Sequence, residues 1–343
     1  MSLGDKSVLF LIGAGCSFEA DIPMSSTMIE QIESKLADKD SGWFDYRELY
    51  NYVKYTIEYG TKLGGILQDF NIESLLVTLH HLSEHRKSIL YPFISGYSND
   101  LIEYAGRNFN RISELIKRIE DELPKWITKS DYKAAEYYAG FASFQKEYNY
   151  PVRIFTLNYD LCVEKMISND ELETGFANGK PWDGTRFTHS SDDEPDAPIY
   201  LYKLHGSIDW ERTKTGLICS QQQGISPEIV FGTDVKMQAV DPYLFYLYEF
   251  RKYALLSKII VIIGYSFNDV HINDLLKQAI ENDDARKLLI ISPHIPANVG
   301  ERVGLATDND RIKIDCIGAK EFLSSKLSVD YINSYLPTED MPF

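Results

Sequence analysis

The run Val8-Leu9-Phe10-Leu11-Ile12, closed by Gly13-Ala14-Gly15, constrains the fold of this chain more than any other stretch. Five apolar residues without alternation match a strand buried on both faces, as in a parallel sheet covered by helices on two sides. The small residues that follow let the backbone turn tightly and approach another group closely. Strand, glycine turn and helix start, in that order, make a dinucleotide-cradle geometry, because amide N–H groups exposed at such a turn attract phosphate oxygens. The full Gly-x-Gly-x-x-Gly spacing is absent, since Phe18 stands where a third glycine would be. A tight strand-to-helix turn without a ligand accounts for the same residues.

The pattern recurs after a long interval. Val152 to Leu157 reads as a second buried strand, stopping at Asn158-Tyr159-Asp160 before a helix over Leu161 to Ile167. Ile199 to Leu204 is a third, followed at once by His205-Gly206-Ser207. Lys258 to Ile263 is a fourth and ends in Gly264-Tyr265-Ser266-Phe267-Asn268-Asp269, with a helix over Ile272 to Ile280 behind it. Lys287 to Ile291 and Arg311 to Cys316 complete the set. Strands alternating with helices predict an α/β fold, a Rossmann-like doubly wound parallel sheet with right-handed crossovers. Polar residues at the carboxyl ends of such strands stand where open α/β sheets bind ligands.

Between the first two strands the sequence changes character. Residues 25–148 show helical periods and no strand: Ile72, Leu75, Leu76, Leu79 and Leu82 share one face, as do Ile112, Leu115, Ile116 and Ile119, with Leu123-Pro124 expected to end the second helix. Asp131 can cap a third, rich in Tyr132, Tyr137, Tyr138, Phe141 and Phe144. The expected organisation is a Rossmann-type domain from residues 1–24 and 149–343, with an inserted helical module over 25–148. His80, His81 and His85 lie in this module, but without a nearby third ligand or a glutamate base they read as a polar helix face, and no metal is expected. The polar stretch Glu171 to Pro198 reads as a long functional loop, with Asp192-Asp193-Glu194 as solvated charge.

Composition removes several function classes. Thirty-five basic against 51 acidic side chains in 343 residues leave a formal charge of -16, which argues against a nucleic-acid footprint over the surface as a whole and assigns any such contact to a partner. Cys16, Cys162, Cys219 and Cys316 are far apart with no Cys-x-x-Cys pair, so neither a zinc ribbon nor a disulfide framework is indicated and a reducing cytoplasm is expected. No apolar run approaches the roughly 20 residues of a membrane span.

Four turns now stand in order: G-A-G-C-S at Gly13 to Ser17, T-L-N-Y-D at Thr156 to Asp160, K-L-H-G-S at Lys203 to Ser207 and G-Y-S-F-N-D at Gly264 to Asp269. As an ordered set they resemble the sirtuin-like superfamily, specifically the bacterial sirtuin-like NADase domains of anti-phage defence. The resemblance covers residues 7–24 and 150–320. It implies NAD as the substrate, with Gly13 in the glycine turn, Ala14, Gly15 and Ser17 holding the diphosphate, Asn158 and His205 as the catalytic pair, Asp160 lining the nicotinamide side, and Gly264, Ser266 and Asn268 on the adenosine side. It also implies control by self-assembly or by a separate subunit, such as a DNA-translocating ATPase or an Argonaute; the aromatics of the insert fit either a contact surface for such a partner or the module's own core. The chain departs from sirtuin deacylases: it has no four-cysteine zinc module, Met24-Ser25-Ser26 follows Pro23 where they carry D-F-R, and Leu157 replaces their glutamine. These departures argue against protein deacylation.

The chemistry is consistent with the resemblance. Cleaving a nicotinamide–ribose bond builds positive charge on the ribose, so the site must exclude bulk water, position a nucleophile and hydrogen-bond the ribose hydroxyls. An asparagine amide orients water and ribose without titrating, and a neutral histidine accepts a proton. Asn158 also fits a helix N-cap and His205 a satisfied core histidine, while Trp182 and Trp210 fit either a nicotinamide cover or core. A sensor that holds NAD or ADP-ribose without turnover shares the glycine turn but does not need Asn158 and His205 together. Transfer of an acyl or ADP-ribosyl group to protein needs an acceptor channel.

Overall fold

The computed structural model describes residues 3–63, 70–84, 99–106, 109–177, 179–187, 197–220, 240–296, 298–305 and 309–336. His85 and Asp192-Asp193-Glu194 lie outside the described residues. The chain divides into two compact units, one of residues 1–22 and 128–343 and the other of residues 23–127.

The first unit is built on a parallel sheet of seven strands. These are β1 (Val8–Ile12), β2 (Val152–Thr156), β3 (Leu172–Glu173), β4 (Ile199–Lys203), β7 (Ile259–Ile263), β8 (Lys287–Ile291) and β9 (Ile312–Asp315), in the order β3-β4-β2-β1-β7-β8-β9. A separate antiparallel hairpin pairs β5 (Trp210–Thr213) with β6 (Gly216–Cys219). The fold is therefore α/β, Rossmann-like and doubly wound. From β1 the sheet grows one way through β2 and the other way through β7, so the topological switch point lies between β1 and β7, where Gly13 and Gly264 end their strands.

Every residue of β1, β2, β4 and β7 is buried. Alternate side chains feed two cores. Val8, Phe10 and Ile12 pack on one face with Tyr138, Phe141, Phe144, Cys162 and Phe322, while Leu9 and Leu11 pack on the other with Tyr246, Phe250, Ile272 and Leu276. The segment Lys133–Ala139, a 3-10 helix, and the helix Gly140–Tyr148 thus belong physically to the sheet. The aromatics expected either as a contact surface or as the core of an insert instead cover the sheet, with Phe10 edge-on to Phe141 at 5.2 Å and to Phe144 at 5.4 Å. Contact between Phe10 and Phe141 spans more than a hundred residues of sequence, and no local pattern encodes it.

The second unit holds the helices α1 (Ser25–Ala37), α2 (Arg47–Leu63), α3 (Ile72–Ser83), α4 (Asn99–Ala105) and α5 (Asn110–Ile127). Asn71 starts α3 through a reciprocal cap with Ser74. The helix α5 runs on through Pro124 to Ile127 instead of stopping there. The amide bond lost at the proline is offset by burial of Leu123, Trp126 and Ile127 on either side of it.

Candidate functional site

The turns at the ends of β1 and β7 lock together first. Gly13 N donates to Ile263 O at 3.0 Å and Gly15 N to Gly264 O at 2.8 Å, while Cys16 N and Ser17 N donate back to Gly13 O and Ala14 O. A Cβ on Gly13 would stand 2.8 Å from Gly264 O, and one on Gly15 would stand 2.9 Å from Gly264 Cα. Gly264 itself has φ +63°, a region that favours glycine. The glycines are therefore demanded by the approach of two backbone turns. The amides of Gly13, Gly15, Cys16 and Ser17 are engaged within the protein; of these, Gly15 and Ser17 are residues that the resemblance assigns, with Ala14, to a diphosphate. Ala14 remains exposed there, as does Phe18 at 51 %.

Ser17 is the hub of a buried network. Its Oγ donates to Asp160 Oδ2 at 2.7 Å and accepts from Asn158 Nδ2 at 3.0 Å, with Tyr138 OH 2.8 Å away. A hydroxyl offers one donor and two acceptor positions, so Oγ is filled when Tyr138 donates. The second hydrogen of Asn158 Nδ2 goes to Gly13 O at 3.0 Å. Asp160 Oδ1 accepts from Cys162 N at 2.9 Å, so this carboxylate, expected on the nicotinamide side, is tied to the first residue of the helix Cys162–Met166. Burial pushes the nearby Cys16 thiol up to about 12, which removes it as a thiolate nucleophile.

Lys203, the last residue of β4, braces the same turn from below. Its Nζ donates to Asp160 O and sits 2.8 Å from Glu164 Oε1. Burial opposes its charge, but Glu164, Asp209 and Asp160 outweigh that and hold its pKa above the usual lysine value. Burial acts the other way on Glu164, raising it against the pull of Lys203. Sequence reading missed this lysine, although a cation ending an apolar strand was a visible signal.

His205 stands apart from the network. Two residues beyond β4 and only 4 % exposed, its Nε2 lies 3.0 Å from Asp269 Oδ2 and its Nδ1 is buried without a partner. A small cleft opens beside it, lined by Leu204, His205, Tyr243, Leu247, Asp269 and His271. His271 Nε2 is also buried without a partner. Gly264, Ser266 and Asn268 lie on the turn leading to Asp269. Arg302 Nη1 donates to Ser266 O at 3.1 Å, Phe267 O at 2.6 Å and Asn268 Oδ1 at 2.6 Å, which holds that turn from outside and occupies the Asn268 carbonyl. Trp182 and Trp210 pack around Tyr246 at 5.6 and 6.3 Å, as core.

Among the described residues no group of three or more His, Cys, Asp or Glu is placed to hold a metal ion, and His80 pairs with Glu120 at 3.3 Å. No described helix is long and apolar enough to cross a membrane.

Residues 152–305 match the model of the SIR2-like domain. The family match takes in the turns after β2, β4 and β7 but not the one after β1. Among solved structures, a Sir2 homologue mutant in complex with ADP-ribose aligns at 12 % identity and TM-score 0.46, covering 95 % of this chain and 92 % of that one. A Sir2 homologue in complex with NAD aligns at 12 % identity and TM-score 0.45, covering 96 % and 90 %. A structure from a study of the mechanism and regulation of Sir2 enzymes aligns at 13 % identity and TM-score 0.44, covering 97 % and 95 %. Curated proteins yield no match.

Proposed function

We propose that this chain is an NAD+ glycohydrolase that releases nicotinamide and ADP-ribose and acts by depleting NAD in bacterial anti-phage defence. The observation that carries the reading is that Asn158 and His205 are both buried polar groups just past the carboxyl ends of the adjacent strands β2 and β4. Both lie inside the segment that matches the SIR2-like domain model. A sensor that holds NAD or ADP-ribose without turnover does not need Asn158 and His205 together. In the proposed step the nicotinamide–ribose bond breaks with its electron pair moving to the pyridinium nitrogen, which leaves as neutral nicotinamide. Water adds to the ribose carbon and loses its proton to His205, while Asn158 orients water and ribose.

The resemblance also implies control from outside the chain. The expectation is a homo-oligomer whose activity is low alone and rises with assembly or with a separate regulatory subunit of the DNA-translocating ATPase or Argonaute type. The decisive experiment mixes purified protein with NAD+ and measures free nicotinamide, with and without an acylated peptide and across a range of protein concentration. Peptide-independent release, unaffected by EDTA, is the expected result. Release only with peptide would make the protein a deacylase or transferase, and NAD+ binding without release at any concentration would make it a sensor.

A further inference from the structure

The two ring nitrogens of His205 are in different situations: Nε2 faces Asp269 Oδ2 at 3.0 Å, and Nδ1 is buried with no partner. An ionised carboxylate can only accept, so a neutral imidazole facing it carries its proton on Nε2 and leaves Nδ1 as a bare acceptor. Asp269 is itself held firmly. Its Oδ1 caps the helix Val270–Asn282, accepting from His271 N at 3.0 Å and Ile272 N at 3.3 Å. Its backbone amide donates to Tyr265 OH at 3.2 Å, and that hydroxyl lies 3.1 Å from Asp269 O. Capping explains Oδ1, and serine or asparagine would cap as well. It does not explain why Oδ2 is turned onto a buried imidazole. Nor do contacts within the protein satisfy the cleft, where His205 Nδ1 and His271 Nε2 are both left unpaired. Leaving such groups buried is costly, and a ligand hydroxyl would relieve that cost.

We infer that Asp269 is a positioning residue: it fixes His205 as the Nε2–H tautomer and so presents Nδ1 as the acceptor of a hydroxyl proton. The identity of that hydroxyl, water or ribose, rests on the glycohydrolase reading, whereas the tautomer does not. In the step, the O–H proton passes to Nδ1, the oxygen keeps the bonding pair for attack on the ribose carbon, and the imidazolium is held against Asp269 until its proton is lost to solvent. The substitution Asp269→Asn separates the two jobs of this side chain. An asparagine keeps a carbonyl for the cap but turns an NH2 toward His205, which forces the ring proton onto Nδ1 and blocks the acceptor.

The test is long-range nitrogen–proton NMR on histidine-labelled protein, with His205 assigned by loss of its signals in His205→Gln, alongside nicotinamide release. The expected result is an Nε2–H tautomer in the wild type and an Nδ1–H tautomer in Asp269→Asn. That variant should keep KM for NAD+ while kcat falls at least about a hundredfold. A role in capping alone would lower the melting temperature and leave kcat per folded molecule intact. An Nδ1–H tautomer in the wild type, an unchanged tautomer in the variant, or near wild-type kcat would overturn the inference. A tautomer switch in a protein that never releases nicotinamide would support the orienting role and overturn the glycohydrolase reading alone.

Discussion

Around the ends of β1 and β2, Ser17, Asn158, Asp160 and Tyr138 satisfy one another, whereas in the cleft beside the end of β4 the Nδ1 of His205 and the Nε2 of His271 are buried with nothing to bond. Both regions stand at the carboxyl edge of one sheet, and both carry residues that the motif set assigns to catalysis. They differ in what a ligand would find. In the first, a phosphate or ribose oxygen meets donors already in use, so binding there means exchanging bonds. In the second, a hydroxyl meets ring nitrogens that no protein group bonds. Buried polar groups are almost always paired. An unpaired pair of histidine nitrogens beside a cleft is accordingly the stronger mark of a working site, and the closed network is the stronger mark of a scaffold.

The largest expected effect tests the scaffold. Alanine at Gly264 would place a methyl group onto Cys16 N and Gly15 C at a backbone φ of +63°, so Gly264→Ala should unfold the first unit or cost several kcal/mol. Chemical denaturation of the purified variant measures this, and a stability within 1 kcal/mol of wild type, on the order of an ordinary surface substitution, would refute the locked-turn account.

Next comes the pair that separates the two regions. Asn158→Ala and His205→Ala should each reduce nicotinamide release by about a hundredfold or more, but their stabilities should diverge. Position at a strand end suggests that both would fold normally. Asn158, however, gives both amide hydrogens to buried acceptors, Gly13 O and Ser17 Oγ, so its removal should cost about 1–3 kcal/mol. His205 makes one such bond and leaves one nitrogen unpaired, so its loss should cost less. Equal melting temperatures for the two variants would erase the contrast.

A smaller effect comes from Lys203. Its pKa is raised above the ordinary value of 10.5, so its contribution to stability is complete below that pH and declines as pH rises past it toward the folded value. Wild type should therefore lose stability relative to Lys203→Met in the alkaline range and hold a constant difference at neutral pH. A difference that instead changes between pH 6 and 9, below about 10.4 where a free lysine begins to titrate, would contradict the assignment.

The smallest effect is that of Tyr138→Phe, which removes one of three partners of Ser17 Oγ. About 0.5–1.5 kcal/mol should be lost, with kcat nearly unchanged. A large fall in kcat would move Ser17 from the scaffold to the working site.

How far the sequence carries differs element by element. The unbroken apolar runs at Val8–Ile12, Val152–Thr156 and Ile259–Ile263 announce buried parallel strands, because a strand covered on both faces has no polar side. The two-residue β3 and the β5–β6 hairpin were too short and too mixed to register, though Gly216, at φ +131° in the hairpin turn, was a usable signal. The α/β class, the four turns, and the placement of Asn158 and His205 at strand ends were all determined by local pattern, since periodicity and glycine act over a few residues. Which groups meet was decided only by the tertiary structure. Ser17 finds Asp160 across 143 positions and Tyr138 across 121, and His205 finds Asp269 across 64. The same holds for Phe141 and Phe144, whose helical spacing predicts one buried face but not that the face is Phe10 of the central strand. Hydrogen bonds and ring contacts form over a few ångströms of space, and the order of strands in the sheet, not distance along the chain, sets which side chains come that close.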